Sequence, residues 1–344
     1  MGSAESHRIP TLDGWRGIAI LMVLADHIAF AAFGHYPYAW MRIGLHGVTL
    51  FFVLSGFLIT SKLIAEPIDL KKFYIRRFFR LMPAAWTFLA VLVILNLAGI
   101  HCTNWREVCG CLFFYRNFQG LIGVAGHFWS LSIEEQFYLV WPSLLLFFGL
   151  RRCRTIAALG AISVAAYRFA FWSHYRHGLL NTRTEVRADA LLIGCLLALY
   201  LPEHRDLIER WSRYLVVPAS ALVLFAIGSF HVLQPLWEVV SLAVLLAFTS
   251  LRPETPVSRR LAWKPLVWIG GISYTIYVWQ EPFTLFHGLA ALFGFGFLLP
   301  PFVLASYYWI ERPLRRWGRQ IADGLPAVSA PGFQTLPEGA DTLP

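Results

Sequence analysis

Between residues 13 and 311 the chain returns repeatedly to apolar stretches of about 20 residues, the length an α-helix needs to cross the hydrocarbon core of a bilayer. Inside that core no water satisfies backbone N–H and C=O groups, so such stretches must close their hydrogen bonds within themselves as helices. The fold class that follows is an all-α, polytopic membrane bundle. About ten spans are read, at 13–33, 43–64, 83–100, 128–150, 154–173, 187–203, 213–230, 233–251, 265–287 and 289–311. Composition agrees: 57% of the residues are hydrophobic and 14% charged, against roughly 45–50% and 25% in soluble domains. The first stretch contains Asp13, Arg16 and His27 and has no cleavage signature, so it is expected to remain a helix and not to serve as a signal peptide. Residues 1–12 read as a cytoplasmic N-terminus, 13–317 as one membrane domain and 318–344 as a disordered cytoplasmic tail, rich in Gly, Pro, Ala and Thr and without apolar periodicity.

The net charge of +9 is a matter of topology. With the N-terminus inside, the outer segments hold only Arg42, Arg106, Arg116, Arg176 and Arg183, and Arg16, Arg168 and Arg187 sit within spans or at their ends. The other 21 of the 29 Lys and Arg fall on inner segments, as the positive-inside rule requires, with both termini cytoplasmic. No basic patch stands clear of the membrane, so nucleic acid is not an expected partner; membrane lipid is. Residues 67–82, PIDLKKFYIRRFFRLM, have the basic and aromatic pattern of an amphipathic helix on the inner surface. Residues 101–127 form a long outer segment expected to dip back against the bundle. It carries Cys102, Cys109 and Cys111, for which disulfide pairing and free thiols are equally open, and no cysteine has zinc-ligand spacing. No metal or permanently bound cofactor is expected.

Ionisable residues inside spans are costly, and those present usually face the bundle interior or a functional cavity. Arg16 and His27 lie eleven positions apart on the first span, about three turns or roughly 16 Å along one face. Glu134, counted from the outer end of its span, lies at the depth of His27, which predicts a His27–Glu134 pair in which the carboxylate orients the imidazole and supports it as a general base. A structural salt bridge is the plain alternative. Glu135 points about 100° away around the same helix. Arg77 and Arg80 share one helical face, and their guanidinium forks suit phosphate oxygens as well as they suit lipid headgroups. Arg187 and Asp189 open the sixth span as candidate acceptor contacts or a helix-end charge pair, and Tyr274 and Tyr277 as candidate cavity walls. Glu311 and Arg312 are read as closing the bundle, and Ser55–Gly56 as allowing close helix approach.

Seven segments in order, LDGWRGIAILMVLADH, FFVLSGFLIT, FYIRRFFRLMP, WSLSIEEQFYLVWP, RADALLIGCLLA, ISYTIYVWQEPF and YYWIERPLRR, make the chain resemble the bacterial acyltransferase 3 family of integral membrane O-acyltransferases over residues 8–317. The resemblance implies acyl transfer, commonly of acetyl, from a cytoplasmic acyl-CoA co-substrate to a hydroxyl of a sugar or glycoconjugate at the bacterial inner membrane. It makes His27 the catalytic histidine, Arg16 its partner arginine, Arg77 and Arg80 the paired arginines of the donor end, and Glu134 the acid. Gln280 stands where many relatives have histidine and is assigned no proton transfer; Asp26 is unusual beside His27. Some relatives carry an additional C-terminal hydrolase-like domain, and the membrane core here is expected to act alone or with a separate protein. Direct transfer and a transient acyl-histidine use the same residue. The rival reading is a transporter with His27, Glu134 and Arg16 as a proton or substrate relay, but no repeated halves are visible.

Overall fold

A computed structural model describes residues 9–35, 42–65, 67–99, 104–119, 123–171, 182–228 and 234–326. Among these residues every regular element is helical. Six stretches are long and apolar enough to cross a membrane: α1 (Pro10–Phe33), α2 (Gly44–Ala65), α3 (Leu70–Leu97), α7 (Arg205–Ile227), α8 (Gln234–Leu251) and the continuous helix Leu289–Asp323. The other expected spans correspond to shorter or broken helices. Those at 128–150 and 154–173 are two arms of α5 (Phe128–Ala170), turned back at Gly149, whose φ of 69° and ψ of 173° suit only glycine. The stretch 187–203 falls on α6 (Thr184–Tyr200). That at 265–287 is interrupted: α10 (Lys264–Gly271) follows the short α9 (Pro256–Leu261), α11 (Ser273–Trp279) comes next, and a 3₁₀ turn spans Glu281–Leu285.

In lipid, helices associate by packing, and small residues set how closely they approach. A Cβ on Gly56 of α2 would lie 1.9 Å from the Leu191 carbonyl oxygen of α6, and one on Gly194 of α6 would lie 2.2 Å from the Val53 carbonyl oxygen of α2. The two backbones therefore touch, as the Ser55–Gly56 reading anticipates. Gly270 similarly seats α10 on the backbone of Asp13 in α1.

Two expectations are corrected. Residues 67–82 do not form a separate surface helix, because α3 runs without a break from Leu70 through Pro83 to Leu97. Asp69 caps it through the Lys72 N–H, and two of its arginines have protein partners: Arg77 turns onto α5, while Arg76 reaches Asp323 at 2.5 Å. Nor does the ordered chain stop at 317. A terminal segment, α12 (Arg312–Asp323), continues the last helix because Gly318 and Ala322, one turn apart, bury a small-residue face, with Gly318 against Phe79 of α3. The remainder of the predicted tail, from 327, lies outside the described residues.

Residues 104–119 of the expected outer segment do dip into the bundle. Its α4 (Trp105–Leu112) and the 3₁₀ turn Arg116–Phe118 descend until Arg116 and Asn117 are fully buried. Asn117 is tied to Gln136 of α5 (3.0 Å) and Thr184 of α6 (3.0 Å), which satisfies irregular backbone and side chains away from water. Cys109 and Cys111 are free thiols; Cys102 lies outside the described residues.

Candidate active site

The ionisable side chains gather at two levels along α1, one at Arg16 and one at His27, inner and outer respectively on the orientation expected from the charge pattern. At the inner level, Arg77 donates to Glu135 at 3.1 Å, lies 3.9 Å from Glu134, and stacks 3.4 Å above the Tyr138 ring. Glu134 accepts a 2.9 Å hydrogen bond from Ser55, so α2, α3 and α5 converge on one ion-pair cluster. Arg16 joins from α1, paired to Asp13 at 3.9 Å. Arg80, one turn beyond Arg77, has no carboxylate within 4.0 Å among the described residues; the charges it feels include Arg16, Arg77 and Arg315. Arg16, Arg77 and Arg80 are thus matched in number by Asp13, Glu134 and Glu135, yet the Arg80 guanidinium is left without a close carboxylate and Arg77 Nε has no hydrogen-bond partner. Donors left over in this way suit an anionic ligand with several oxygens. A cleft of about 230 Å³ reaches Arg77 and Glu135 between Tyr74 of α3, Phe113–Phe114 of the re-entrant segment and Leu139 of α5.

At the outer level stand His27, His127 and Glu281. Nδ1 of His27 lies 3.7 Å from Oε2 of Glu281, and Nδ1 of His127 lies 3.6 Å from the same oxygen. His127 immediately precedes α5, and Glu281 opens the 3₁₀ turn after α11, where Pro282 follows it. His27 and the inner Arg16 are on one helix, about 16 Å apart at 1.5 Å per residue. The same spacing recurs on α3, between Arg77 and Phe88, whose ring meets His127 edge-on.

The expected His27–Glu134 pair is therefore a miscount of depth. Counting six residues from the start of α5 assumes that this start marks the membrane surface. In the structure Val124, Ala125 and His127 just before it are buried. Glu134 follows His127 by seven residues, roughly 10 Å further in, and meets Arg77, while Glu281 takes its place beside His27. Asp26 points elsewhere, accepting the Gly44 N–H at 3.0 Å at the start of α2.

Asp189 forms a buried 2.7 Å ion pair with Arg168 from the second arm of α5. Arg187 lies 5.7 Å from the Trp129 ring. Tyr277 reaches the outer level, donating to the His127 carbonyl at 3.0 Å; Tyr274 belongs to the inner level, bonded to the Leu81 carbonyl at 2.7 Å. Glu311 is buried against Thr275 and Arg315 within the last helix, which does not end there as expected but continues to Asp323, and Arg312 beside it is exposed. A further buried pair, His46 of α2 with Glu238 of α8 at 2.9 Å, was not anticipated.

His127 and Glu281 are the residues that sequence reasoning passes over. Glu281 carried a usable signal, since it is an acid inside the predicted span 265–287. His127 carried none beyond its place at the head of HFWSLSIEEQ, assigned to a loop.

A family profile described as an acyltransferase domain, Acyl_transf_3, matches residues 9–312. The chain is 32% identical over 313 residues to the peptidoglycan O-acetyltransferase OatA of Listeria monocytogenes, covering 80% of this chain and 49% of that protein. It is 30% identical over 364 positions to the putative peptidoglycan O-acetyltransferase YrhL of Bacillus subtilis, covering 91% and 56%. It is also 30% identical over 381 positions to the O-acetyltransferase OatA of a Staphylococcus aureus strain, covering 95% and 60%. The chain spans about half the length of these curated relatives. No solved structure matches it.

Proposed function

Because the chain belongs to this acyltransferase family, we propose that it is an inner-membrane O-acyltransferase, moving an acetyl group from cytoplasmic acetyl-CoA to a hydroxyl of a peptidoglycan-type sugar. The observation that carries the reading is the alignment of two polar clusters along α1, an arginine–carboxylate one at Arg16 and a histidine–carboxylate one at His27. The relatives' names supply the acetyl group and the sugar polymer.

In this reading the chain crosses the membrane about ten times with both termini in the cytoplasm, so the arginine level faces the donor. Arg16, Arg77 and Arg80 hold the phosphates, and Glu134 with Glu135 fixes the Arg77 guanidinium in place by ion pairing. The extended pantetheine arm then runs along the bundle toward His27. There Nδ1 of His27 is set by Glu281, leaving Nε2 to take the acceptor's hydroxyl proton as the oxygen attacks the thioester carbonyl. The C–O bond forms, the C–S bond breaks, and the proton leaves on the thiol. Apolar side chains around the outer level, among them Phe51, Phe88 and Phe128, exclude water that would otherwise hydrolyse the thioester.

The test is mass spectrometry of muropeptides and other surface glycans from cells carrying the intact gene, a His27→Ala allele, or none. O-acetylated sugars should appear only with the intact gene. Equal acetylation in all three strains would remove the proposal.

A further inference from the structure

Three buried polar atoms without hydrogen-bond partners face one another at the outer level: Nδ1 of His27, Nδ1 of His127 and Oε2 of Glu281. Leaving even one such group unpaired in the interior is unfavourable, so three together point to a task other than holding the fold. His127 is the unexplained member. Its Nε2 lies 3.1 Å from the Val278 carbonyl oxygen, and only an N–H pairs with a carbonyl, so in the neutral ring Nδ1 is bare and aimed at Glu281. The side chain is 2% exposed. Phe88, Phe128 and Tyr277 meet its ring, and Tyr277 and Ser130 both hydrogen-bond its backbone carbonyl. A histidine enclosed on every side by protein touches no substrate, yet it shares a carboxylate with one that is partly open. The other charged groups whose fields reach Glu281 are Asp26 of α1 and Arg116 of the re-entrant segment.

We propose that His127 is the proton-holding partner of His27, coupled to it through Glu281, so that the outer level works as a His27–Glu281–His127 unit. This rests on the acyl-transfer reading of His27. When Nε2 of His27 takes the acceptor's proton, the Nδ1 proton of His27 passes to Glu281, and the resulting carboxyl gives its proton to the bare Nδ1 of His127. His27 is again neutral, and the positive charge rests on the ring whose Nε2–H is held by Val278. When the C–S bond breaks, the protons retrace the path, and Nε2 of His27 delivers one to the thiolate sulfur. One O–H bond is lost and one S–H bond gained, and no other reagent is needed. The separations of 3.6 and 3.7 Å must shorten to about 3 Å for each transfer.

His127 is thus a positioning residue, and its test needs readouts that packing alone would not move. The first uses full-length protein in nanodiscs with ¹⁵N-labelled histidine and no substrate. Two-bond ¹⁵N–¹H spectra should show His127 protonated at Nε2 and bare at Nδ1, and both Glu281→Gln and His127→Gln should displace the His27 ring resonances. His127 bare at Nε2, or His27 indifferent to His127→Gln, overturns the coupling whether or not the protein is an acyltransferase. The second readout is single-turnover transfer from acetyl-CoA. His127→Gln keeps an N–H for Val278 but cannot store a proton; its rate should fall roughly 10²-fold with acetyl-CoA affinity unchanged. The proton inventory in H₂O–D₂O mixtures should change from curved to linear. A His127→Gln rate close to wild type overturns the proposal. Wild-type protein that shows coupled histidines but no transfer from acetyl-CoA instead removes the donor reading and leaves the unit standing.

Discussion

Replacing Gly56 with alanine adds one methyl group where the helices have no room for it. The new Cβ would stand 1.9 Å from the Leu191 carbonyl oxygen, against the 3.0 Å below which real Cβ atoms are essentially never found. The obstacle is backbone, so no side chain can swing aside, and α2 and α6 must separate by about 1 Å. Overpacking of this kind typically costs 1–3 kcal/mol, and a contact that cannot relax belongs at the upper end. For a chain of this size that corresponds to a fall in Tm of roughly 4 °C. The displacement also reaches the inner site, because the neighbouring Ser55 holds Glu134 and, through it, Arg77. Misplacing a site by 1 Å can cost about 10²-fold in rate, so activity should fall further than the loss of folded protein explains. The assay is thermal unfolding of purified protein in one fixed detergent, with Gly296→Ala as control: a Cβ there has nothing within 4 Å, so its Tm should hold. Equal Tm values for the two variants would refute the backbone-contact argument. Gly194→Ala, which would face the Val53 carbonyl oxygen at 2.2 Å, should behave like Gly56→Ala.

His27→Ala should abolish transfer, a loss of about 10²–10⁴ in rate, while leaving acetyl-CoA affinity by calorimetry nearly unchanged. Arg80→Gln should weaken donor binding first, by roughly 1.5–3 kcal/mol for one charge-assisted phosphate contact; normal binding would move the phosphate site elsewhere. Glu134→Gln should act through Arg77 on donor affinity and Glu281→Gln on the chemical step, and kcat and KM measured side by side separate the two. Gly318→Leu should lower Tm because its side chain meets Phe79, whereas removing residues 327–344 should leave Tm and transfer rate in place. Cysteine labelling in intact cells should place residues 205–210 inside; labelling from outside would invert the donor and acceptor faces.

The apolar lengths, the charge asymmetry and the family motifs are local properties of the chain, and from them the sequence alone determined an all-α membrane protein of the acyltransferase family. It also located His27, Glu134 and the arginines, because an ionisable residue in an apolar run is conspicuous in one dimension. What it could not place was depth. The pairing of His27 depends on how far each helix end is sunk in the bundle: the turn before α5 is buried, so Glu134 meets Arg77 and not His27. Glu281 reaches His27 only because the helix before it breaks after Gly271 and ends in a 3₁₀ turn. Asp189 answers Arg168 across two helices. In a bilayer the hydrophobic effect decides that a helix is inserted but hardly distinguishes its neighbours, since lipid tails are as apolar as leucine. Partner choice therefore falls to backbone-to-backbone fit at a few glycines and to the pairing of buried charges, and both exist only once the helices are assembled.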